Sequence, residues 1–477
     1  MALDKNRHFE HLVEKLNPIG KVIAINKSII RVKGLQPINI NALIMFENGE
    51  KGLVREIRNG YCLVMYLGVK DVEIGMRVVL QHHTLVSKVG KAFRGRVVNV
   101  FGEPLDGKGP IATESTWEVF RDAPKLFERS ALSDSLISGV TVIDSIVPIV
   151  KGQRLAIIGD SKSGKSMLAT QIALNQQNND ILVIYVLIAK RRSEVSAIIS
   201  KFNEGKALDN AIIIVSTIYD SLSASYLAPY VGCAMAEYFW QTQNQDVLIV
   251  YDDLTTHAMV YREVSLLNNT SPGRDSYPGD IFYIHSSLLE RAGRLKQNSK
   301  TLTVLPIVLA SGGDITAYLP TNIMSITDGQ WILDMQIFKD IMRPALNIGL
   351  SVTRVGGVGF NKLQKELNLK INKLIAGYRQ ALEFSHFGSE LALESQTMLI
   401  KGKVLYKILN QSPSSHFSLW SQILMLDMIT DMNNGQTLDA DELKRKASEM
   451  AKNITDESHY QKVKKELMDS MKVELKK

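Results

Sequence analysis

The stretch Gly159-Asp-Ser-Lys-Ser-Gly164-Lys165-Ser166 decides the fold, because it fits the pattern G-x-x-x-x-G-K-[ST] of a phosphate-binding loop. A short apolar run, Arg154-Leu-Ala-Ile-Ile158, precedes it, and Leu168 and Ile172 follow at helical spacing. Together they predict a strand, a loop and a helix, which is the context that the motif requires. The alternative, a Gly/Ser turn with one solvated lysine, is disfavoured by the complete pattern in this context.

The chemistry of such a loop predicts a bound nucleoside triphosphate. Glycines let backbone N–H groups turn toward phosphate, and the helix N-terminus adds its positive end. We expect Lys165 to reach the terminal phosphates and the Ser166 hydroxyl to ligate Mg²⁺. The residues expected to contact ATP or ADP are Gly159, Asp160, Ser161, Lys162, Ser163, Gly164, Lys165 and Ser166.

Length and composition indicate a globular protein of several domains. A chain of 477 residues predicts about two to four domains, and 45% hydrophobic with 22% charged residues is ordinary. Its two cysteines, Cys62 and Cys233, argue against a disulfide framework and agree with a reducing cytosol. The first residues lack the apolar core of a signal peptide, and no charge-free apolar run reaches the ~18 residues of a membrane span.

The net charge of the chain does not by itself exclude any class of binding partner. A net charge of +7 is modest for this length, and positive charge near a phosphate site accounts for part of it. Neither zinc-ligand spacing nor an aromatic-basic strip is present. We therefore expect no nucleic-acid partner.

Short β segments follow a polar N-terminal tail, residues 1–19. Turn signals such as Arg58-Asn-Gly60 separate them at close, regular spacing. This pattern predicts a small barrel or sandwich over residues 20–88. The segments are Lys21-Val-Ile-Ala-Ile25, Ile29-Ile-Arg-Val32, Asn41-Ala-Leu-Ile-Met-Phe46 and Tyr61-Cys-Leu-Val-Met-Tyr66.

Residues 89–360 alternate strands with helical stretches, and residues 361–477 are mainly helical. Near-continuous apolar runs predict strands buried on both faces, and hence a mostly parallel sheet covered by helices. These runs are Ile181–Ile188, Ala211–Val215, Val247–Tyr251 and Leu302–Val308. The central region is therefore predicted to be an α/β P-loop NTPase domain, followed by a helical domain.

Asp252 is the second candidate for the Mg²⁺ site. It directly follows the run Val247-Leu-Ile-Val-Tyr251, and a phosphate loop uses a carboxylate at the end of a neighbouring strand to hold Mg²⁺. The alternative for Asp252, and equally for Asp253, is an N-cap of the next helix.

Four long stretches resemble the α subunit of rotary F-type ATP synthases, and the similarity runs from about Gly20 to Gln411 in one order. They are Tyr251–Arg262, Pro272–Ala292, Ser325–Gln330 and Arg343–Gly356, and Phe387-Gly-Ser-Glu-Leu391 agrees with them. The resemblance implies a β-barrel, a nucleotide-binding α/β domain and a helical domain in succession. It also implies a ring in which three α-type and three catalytic β-type subunits alternate around a central shaft.

The resemblance implies that this chain does not itself catalyse. Catalytic members of such rings carry a glutamate where this chain has Lys190, and a lysine ammonium cannot accept a proton from water. The α-type members have a glutamine there, so Lys190 departs from both patterns. A phosphate contact and a solvated strand-end lysine are the two alternatives for it. The loop also departs at Ser161 and Lys162, where α subunits usually carry Arg and Gln.

Arg354, in Ser351-Val-Thr-Arg354-Val, matches the arginine finger that α subunits present to the neighbouring catalytic site. The alternative is an arginine in an interface ion pair. Arg343-Pro344 resembles the pair that lines the adenine pocket, and Gln411 matches an adenine contact from the helical domain. The family's second glutamine falls near Pro413 in this sequence.

The resemblance implies a cytoplasmic protein, or one held at the inner face of the cell membrane through its complex. A peripheral stalk and a membrane sector are further partners of such rings. The short N-terminal tail and the unmatched carboxyl end leave contacts with stalk and shaft open. A specialised motor, such as the duplicated rotary-head-like ATPases of wall-less bacteria, some proposed to power gliding, is one alternative.

Two other function classes share this core fold. A self-sufficient homohexameric ATPase of the secretion or helicase type would need its own catalytic glutamate, and Lys190 counts against it. An RNA translocase would need an RNA-binding barrel with exposed aromatic residues, which residues 20–84 show little of.

Overall fold

The structure, a computed structural model, describes residues 2–268, 270–386, 393–432, 436–471 and 474–475. It divides into two compact units. The first comprises Met1–Ala131, Asp180–Leu309 and Ile315–Thr327, and the second comprises Leu132–Asn179, Ala310–Asp314 and Asp328–Lys477. The similar stretch Phe387–Leu391 and the turn Asn433–Gly435 lie outside the described residues.

The described strands, in chain order, are β1 (Ile19–Asn26), β2 (Ile29–Lys33), β3 (Leu43–Phe46), β4 (Lys51–Arg58), β5 (Tyr61–Tyr66), β6 (Arg77–His82), β7 (Val86–Val89), β8 (Arg96–Asn99), β9 (Ser115–Glu118), β10 (Ala156–Gly159), β11 (Leu182–Lys190), β12 (Ala211–Thr217), β13 (Val247–Asp252), β14 (Gly293–Arg294), β15 (Thr301–Leu309), β16 (Gly329–Leu333), β17 (Val352–Thr353), β18 (Gln436–Thr437) and β19 (Glu474–Leu475). The described helices are α1 (Ala2–Glu14), α2 (Thr141–Ile146), α3 (Lys165–Asn175), α4 (Arg192–Glu204), α5 (Leu222–Thr242), α6 (Leu254–Leu267), α7 (Ile281–Leu289), α8 (Tyr318–Ile326), α9 (Met335–Lys339), α10 (Lys362–His386), α11 (Leu393–Leu409), α12 (Leu419–Thr430), α13 (Ala440–Met450) and α14 (Glu457–Ser470).

Strands β1–β6 close into a barrel in the order β1-β2-β5-β4-β3-β6, so the structure selects the barrel over the sandwich. Closure leaves the sheet without an unpaired edge. A Cβ at Gly52 would lie 2.5 Å from Val64 Cγ1, so β4 can pass close to the core only with glycine there. The interior is filled by apolar side chains that include Val22, Ile30, Val32, Ile44, Phe46, Val54, Val64 and Leu80.

The first unit also contains five parallel strands, paired in the order β8-β12-β11-β13-β15, with β14 antiparallel to β15. Every residue of β12 except Thr217 is buried, as is all of β13. Helix α5 packs on β11, β12 and β13, and α6 packs on β11 and β15. Burial on both faces explains why these strands appear in the sequence as continuous apolar runs.

The second unit contains β10, which pairs in parallel with β16, and β17, which pairs antiparallel with β16. It continues into helices α10 to α14. Leu367, Ile371 and Leu374, at helical spacing in α10, are buried as their periodicity predicts. The predicted fold class, a barrel, a mostly parallel α/β domain and a helical domain, is confirmed.

The helices at the carboxyl end are partly buried, although their sequences are rich in charged residues. Helices α13 and α14 are highly charged, yet each buries an apolar stripe that includes Leu443 and Ala447 in α13 and Tyr460, Val463 and Leu467 in α14. Within the described part of the chain, no helix combines the length and apolar character that crossing a membrane requires.

Candidate functional site

The predicted phosphate loop lies between β10 and α3. Gly159 ends β10, and a Cβ at that position would lie only 2.6 Å from the Leu333 carbonyl oxygen. Gly164 has φ +98°, in the left-handed region that glycine adopts without strain, and Lys162 has φ 61°. The predicted strand, loop and helix are therefore present, with the loop at the N-terminus of α3.

The Lys165 ammonium is held by carbonyl groups of its own loop. Its Nζ donates to the Gly159 oxygen at 3.0 Å and to the Asp160 oxygen at 2.6 Å. The Ser163 hydroxyl is buried and has no hydrogen-bond partner among the described residues. A cation and an unsatisfied hydroxyl thus belong to one loop, and both can bond a phosphate oxygen.

Ser166 lies in the first turn of α3 and is half-buried. Its carbonyl oxygen accepts a hydrogen bond from Thr170 Oγ1, one turn later in α3, at 2.7 Å. A hydroxyl at this position is the type of hard oxygen donor that Mg²⁺ prefers.

Asp252, at the end of β13 in the first unit, is fully buried and belongs to a cluster of charged side chains. Its Oδ1 lies 2.7 Å from Lys190 Nζ, and its Oδ2 accepts a hydrogen bond from the Tyr185 hydroxyl at 3.1 Å. Lys190 also donates to Asp253 Oδ2 at 3.1 Å. Asp253 in turn caps α6, because its side chain accepts from the Thr256 N–H at 2.6 Å.

This cluster decides two questions that the sequence left open. Of the two aspartates, Asp253 is the helix N-cap and Asp252 is not. Lys190 is not a solvated strand-end lysine, because only 14% of its side chain is exposed and it bridges both carboxylates. Burial alone would lower the pKa of Lys190, but the charges of Asp252 and Asp253 outweigh it and raise that pKa above its ordinary value.

The two residues expected to bind Mg²⁺ both carry oxygen ligands, and one of them is already paired with a cation of the chain. Ser166 and Asp252 supply hydroxyl and carboxylate oxygens, the ligands that Mg²⁺ takes alongside water. Asp252 already has an ammonium at 2.7 Å. Its carboxylate is thus already paired with a cation of this chain, which it shares with Asp253.

The segment expected at the adenine lies in the second unit, where Arg343 and Gln411 are joined through their backbones. The Gln411 N–H donates to the Arg343 oxygen at 2.7 Å. The Arg343 guanidinium lies over the Phe338 ring, 3.4 Å from its centroid, and donates to the Phe338 and Met342 oxygens at 2.7 and 2.9 Å. The structure therefore brings these predicted residues together with Phe338, which the sequence did not single out.

The Gln411 side chain is 1% exposed and makes four hydrogen bonds inside the unit. Its Nε2 donates to the Gly139 and Ser415 oxygens at 2.7 and 2.8 Å, and its Oε1 accepts from the N–H and hydroxyl of Thr141 at 3.0 and 3.1 Å. These bonds use both N–H donors and both acceptor sites of the amide. An adenine contact by this side chain would require one of them to be exchanged.

Gln171 of α3 makes structural contacts that sequence reasoning missed. It is 3% exposed, and its Nε2 donates to the Ser412 and Ser415 oxygens at 3.1 and 2.9 Å. His416 Nε2 donates to the Gln171 carbonyl oxygen at 2.9 Å. These bonds tie the helix that begins at the phosphate loop to the turn after Gln411, and no local pattern in the sequence indicates them.

A cavity of about 700 Å³ opens beside Pro344 within the second unit. Pro344 lines it, whereas Arg343 and Gln411 do not. Other lining residues come from α10 and α11 and include Tyr378, Leu382, Lys403, Tyr406 and Lys407.

Arg354 follows the short strand β17, and its side chain is exposed. Its N–H donates to the Asp328 oxygen at 2.8 Å. The Asp328 carboxylate is held by Arg154 through two bonds at 3.0 and 2.7 Å, and Gln153 Nε2 donates to Thr353 Oγ1 at 3.0 Å. Arg354 is thus an exposed residue on a firmly anchored backbone.

Comparison with known proteins gives consistent matches. The model described as "ATP synthase alpha/beta family, nucleotide-binding domain" matches residues 139–353, and "ATP synthase alpha/beta chain, C terminal domain" matches residues 361–477. A protein named "ATP synthase subunit alpha" from Clostridium botulinum strain Hall is 40% identical over 453 residues, covering 94% of this chain and 89% of the relative. Another of that name, from Acetivibrio thermocellus, is 39% identical over 432 residues, covering 90% and 85%.

Proposed function

Because this chain belongs to the ATP synthase alpha/beta family, we propose that it is the non-catalytic, nucleotide-binding α-type subunit of a hetero-hexameric rotary head. In this role it binds Mg-ATP or Mg-ADP in its own phosphate loop and lends an arginine to the catalytic site of a β-type neighbour. The domain limits belong to the same proposal: a tail at 1–19, a barrel at 20–88, a nucleotide-binding domain at 89–360 and a helical domain at 361–477.

Nucleotide binding is the task of the loop from Gly159 to Ser166. Its backbone N–H groups and the N-terminus of α3 bind the phosphates, and Lys165 exchanges its carbonyl partners for phosphate oxygens. Ser166 and Asp252 are the residues that would hold Mg²⁺. When bound, the ion neutralises charge on the phosphates.

The absence of catalysis at this site is carried by one observation: Lys190 pairs with Asp252 and Asp253 where a catalytic chain has its glutamate. An ammonium has three N–H donors and no lone pair, so it cannot accept a proton from the attacking water. Both nearby carboxylates are engaged, one by the lysine and the other also by the cap of α6. The chain can therefore hold a triphosphate while lacking a general base of its own at position 190.

Arg354 acts in the neighbouring subunit. Arg354 is an exposed residue on a backbone anchored through Asp328, and its long side chain is suited to reach across an interface to a γ-phosphate. There it stabilises the negative charge that spreads over the transferring phosphoryl group. The base of this chain's own nucleotide lies against Arg343 and Pro344, with Gln411 supporting that segment.

The partners in this proposal are a β-type catalytic subunit and a central shaft. A peripheral stalk and a membrane sector complete the assembly if the ring serves as a synthase. In that case the chain lies at the cytoplasmic face of the membrane without entering it.

Reconstitution with the catalytic partner tests the proposal. The chain alone should bind ATP without steady turnover, and Arg354→Ala in the reconstituted ring should lower kcat on the order of 10³–10⁵. Arg445→Ala is the matched control, because Arg445 is also exposed and its described ion pair with Glu449 is a loose surface contact of 3.9 Å. Gel filtration checks that each ring assembles.

Two results would contradict the proposal. One is steady ATP turnover by the purified chain alone. The other is an Arg354→Ala ring that assembles and turns over ATP as fast as the unaltered one.

A further inference from the structure

The cavity beside Pro344 has the size of a small-molecule site. It measures about 700 Å³, and all of its lining residues belong to the second unit. Cavities of roughly 300–1,000 Å³ with largely apolar walls and a few polar groups are the usual binding sites of small molecules. A concave site of this volume suits such a ligand better than a protein partner, which docks on a broad surface patch.

One wall of the cavity is apolar and is fixed by the chain itself. This wall is the segment that follows α9, and it contributes Met342 and Leu346 among other side chains. Asn410, which also lines the cavity, holds the segment from both of its amide atoms. Its Oδ1 accepts from the Arg343 N–H at 2.9 Å, and its Nδ2 donates to the Ile341 oxygen at 3.2 Å. The wall therefore needs no ligand to keep its shape.

Two aromatic rings from the helical part of the unit form a second wall. Tyr378 of α10 and Tyr406 of α11 both line the cavity, with ring centroids 5.2 Å apart and ring planes at 40°. A Cβ at Gly402 would clash with the Tyr378 ring, so this ring packs directly on the backbone of α11. Aromatic faces and edges attract further rings in stacked or T-shaped arrangements. This wall therefore favours a ligand that carries a flat ring.

The charged residues of the lining favour an anion. Three of them, Arg379, Lys403 and Lys407, are basic and one, Asp340, is acidic. Asp439 lies outside the lining, where backbone N–H groups at the start of α13 and, to a smaller extent, Lys407 lower the pKa of its carboxyl. Positive charge remains in excess even when this second carboxylate is counted.

We propose that this cavity binds a small aromatic anion, a flat ring that carries a carboxylate or sulfonate group. The ring packs between the apolar wall and the tyrosines, and the anionic group lies toward Arg379 and Lys403, which are exposed. The site is distinct from the segment expected at the adenine, because neither Arg343 nor Gln411 lines the cavity. The inference does not depend on the proposed function.

The experiment titrates the purified full chain with two fluorescent probes. The first is 8-anilinonaphthalene-1-sulfonate, and the second is N-phenyl-1-naphthylamine, which has the same rings without the sulfonate. The sulfonate probe should bind with a Kd below about 100 μM. Raising NaCl from about 0.05 M to about 0.5 M should weaken its binding about threefold and leave the neutral probe unchanged, because salt screens only the charged contact. This comparison requires no variant.

Variants then locate the bound probe. The double substitution Arg379→Gln and Lys403→Gln should weaken the sulfonate probe about tenfold, a few-fold for each exposed cation, without affecting the neutral probe. The matched control is Lys462→Gln with Lys465→Gln, two exposed lysines of α14 outside the cavity lining, and it should change neither Kd. Ile400→Trp, which fills the cavity, should weaken both probes. Urea unfolding checks that each variant is folded.

Four results would overturn the inference. The first is an unaltered chain that does not bind the sulfonate probe, and the second is equal weakening by the two double substitutions. The third is displacement of the probe by ATP, which would place it at the nucleotide. The fourth is competition by decanoate, an anion without a ring, that equals competition by 1-naphthoate; we expect decanoate to be about tenfold weaker.

Discussion

Asp252 and Asp253 are neighbours in the sequence with the same side chain, and they have different roles. Asp253 caps α6, whereas Asp252 is buried at the end of β13 and bonded to Lys190 and Tyr185. The direction in which each side chain leaves the end of the strand makes this difference. The sequence alone shows two adjacent aspartates, and it does not show which of them caps the helix.

A second buried pair, His257 and His285, makes the first unit sensitive to acid. His257 Nε2 donates to the Tyr226 oxygen at 3.0 Å, and its Nδ1 lies 3.2 Å from His285 Nε2. Burial lowers the pKa of His257 to about 4 and, together with the neighbouring His257, lowers the pKa of His285 well below its ordinary value. Both rings are therefore neutral in the folded chain.

The sign of the pH effect follows from these depressed pKa values. The unfolded chain takes up protons near the ordinary histidine value of about 6.5 while the folded chain does not, so stability falls as the pH drops from there toward 4. At about pH 5 each histidine should cost about 2 kcal/mol relative to neutral pH. His285→Gln should remove about half of that combined loss, as measured by urea unfolding at about pH 7 and about pH 5.

His83→Gln is the control, because His83 is exposed and should leave the pH difference unchanged. An acid-induced loss of stability that is the same in the unaltered chain and in His285→Gln would exclude this pair as its source.

At the scale of elements, the apolar helix α5 lies in the core of the first unit. Its sequence is apolar over most of its length, and Ser223 to Trp240 are buried inside the unit. One charged side chain is buried there too: Glu237 accepts bonds from Arg291 at 2.7 and 2.6 Å. A helix that is apolar on every side is typical of a protein core as well as of a membrane.

Gly232 of α5 provides a test of this packing. A Cβ there would lie 2.4 Å from Val186 Cγ2 in β11, and valine is stiff at χ1. Alanine would gain about 1 kcal/mol of helix propensity but should lose about 1–3 kcal/mol to overpacking against the sheet. We therefore expect Gly232→Ala to lower the free energy of unfolding in urea.

Gly377→Ala in α10 is the matched comparison. Its Cβ would meet the Met398 sulfur at 3.2 Å, and a flexible thioether can move aside, so this change should be neutral or slightly stabilising. If both substitutions stabilise the chain, the close approach of α5 to β11 is not the reason for glycine at position 232.

At the scale of the whole molecule, the family of the chain is established. The composition of the native complex identifies the assembly to which the chain belongs. Purification of the tagged chain from its own cells should recover a β-type subunit at equal stoichiometry, together with a shaft protein, as measured by native mass spectrometry. Stalk and proton-channel subunits in the same complex would indicate a synthase. Cytoskeletal or surface proteins would indicate a specialised motor.

A homo-oligomer that hydrolyses ATP without another subunit would contradict this expectation. It would favour the secretion- or helicase-type alternative instead.

The sequence by itself determined the fold class and the family. The phosphate loop is a local pattern, and the buried parallel strands are continuous apolar runs. The resemblance predicted from Tyr251–Arg262 and the other stretches is confirmed by matches over nearly the whole chain. The expectation that the resemblance ends at about Gln411 is wrong, because the family's C-terminal domain matches residues 361–477. The roles expected for Arg354, Arg343 and Pro344 stay predictions. They depend on a ligand or a neighbouring chain, neither of which a local pattern specifies.

Only the tertiary structure decided what Lys190 and Gln411 contact. Lys190 bonds Asp253 across 63 residues of chain, and Gln411 bonds Thr141 across 270. Sequence patterns report the period and the propensity of one segment at a time. The packing of distant segments determines which charged side chains are paired in a buried site. Pairing is required there because an unpaired buried charge is costly.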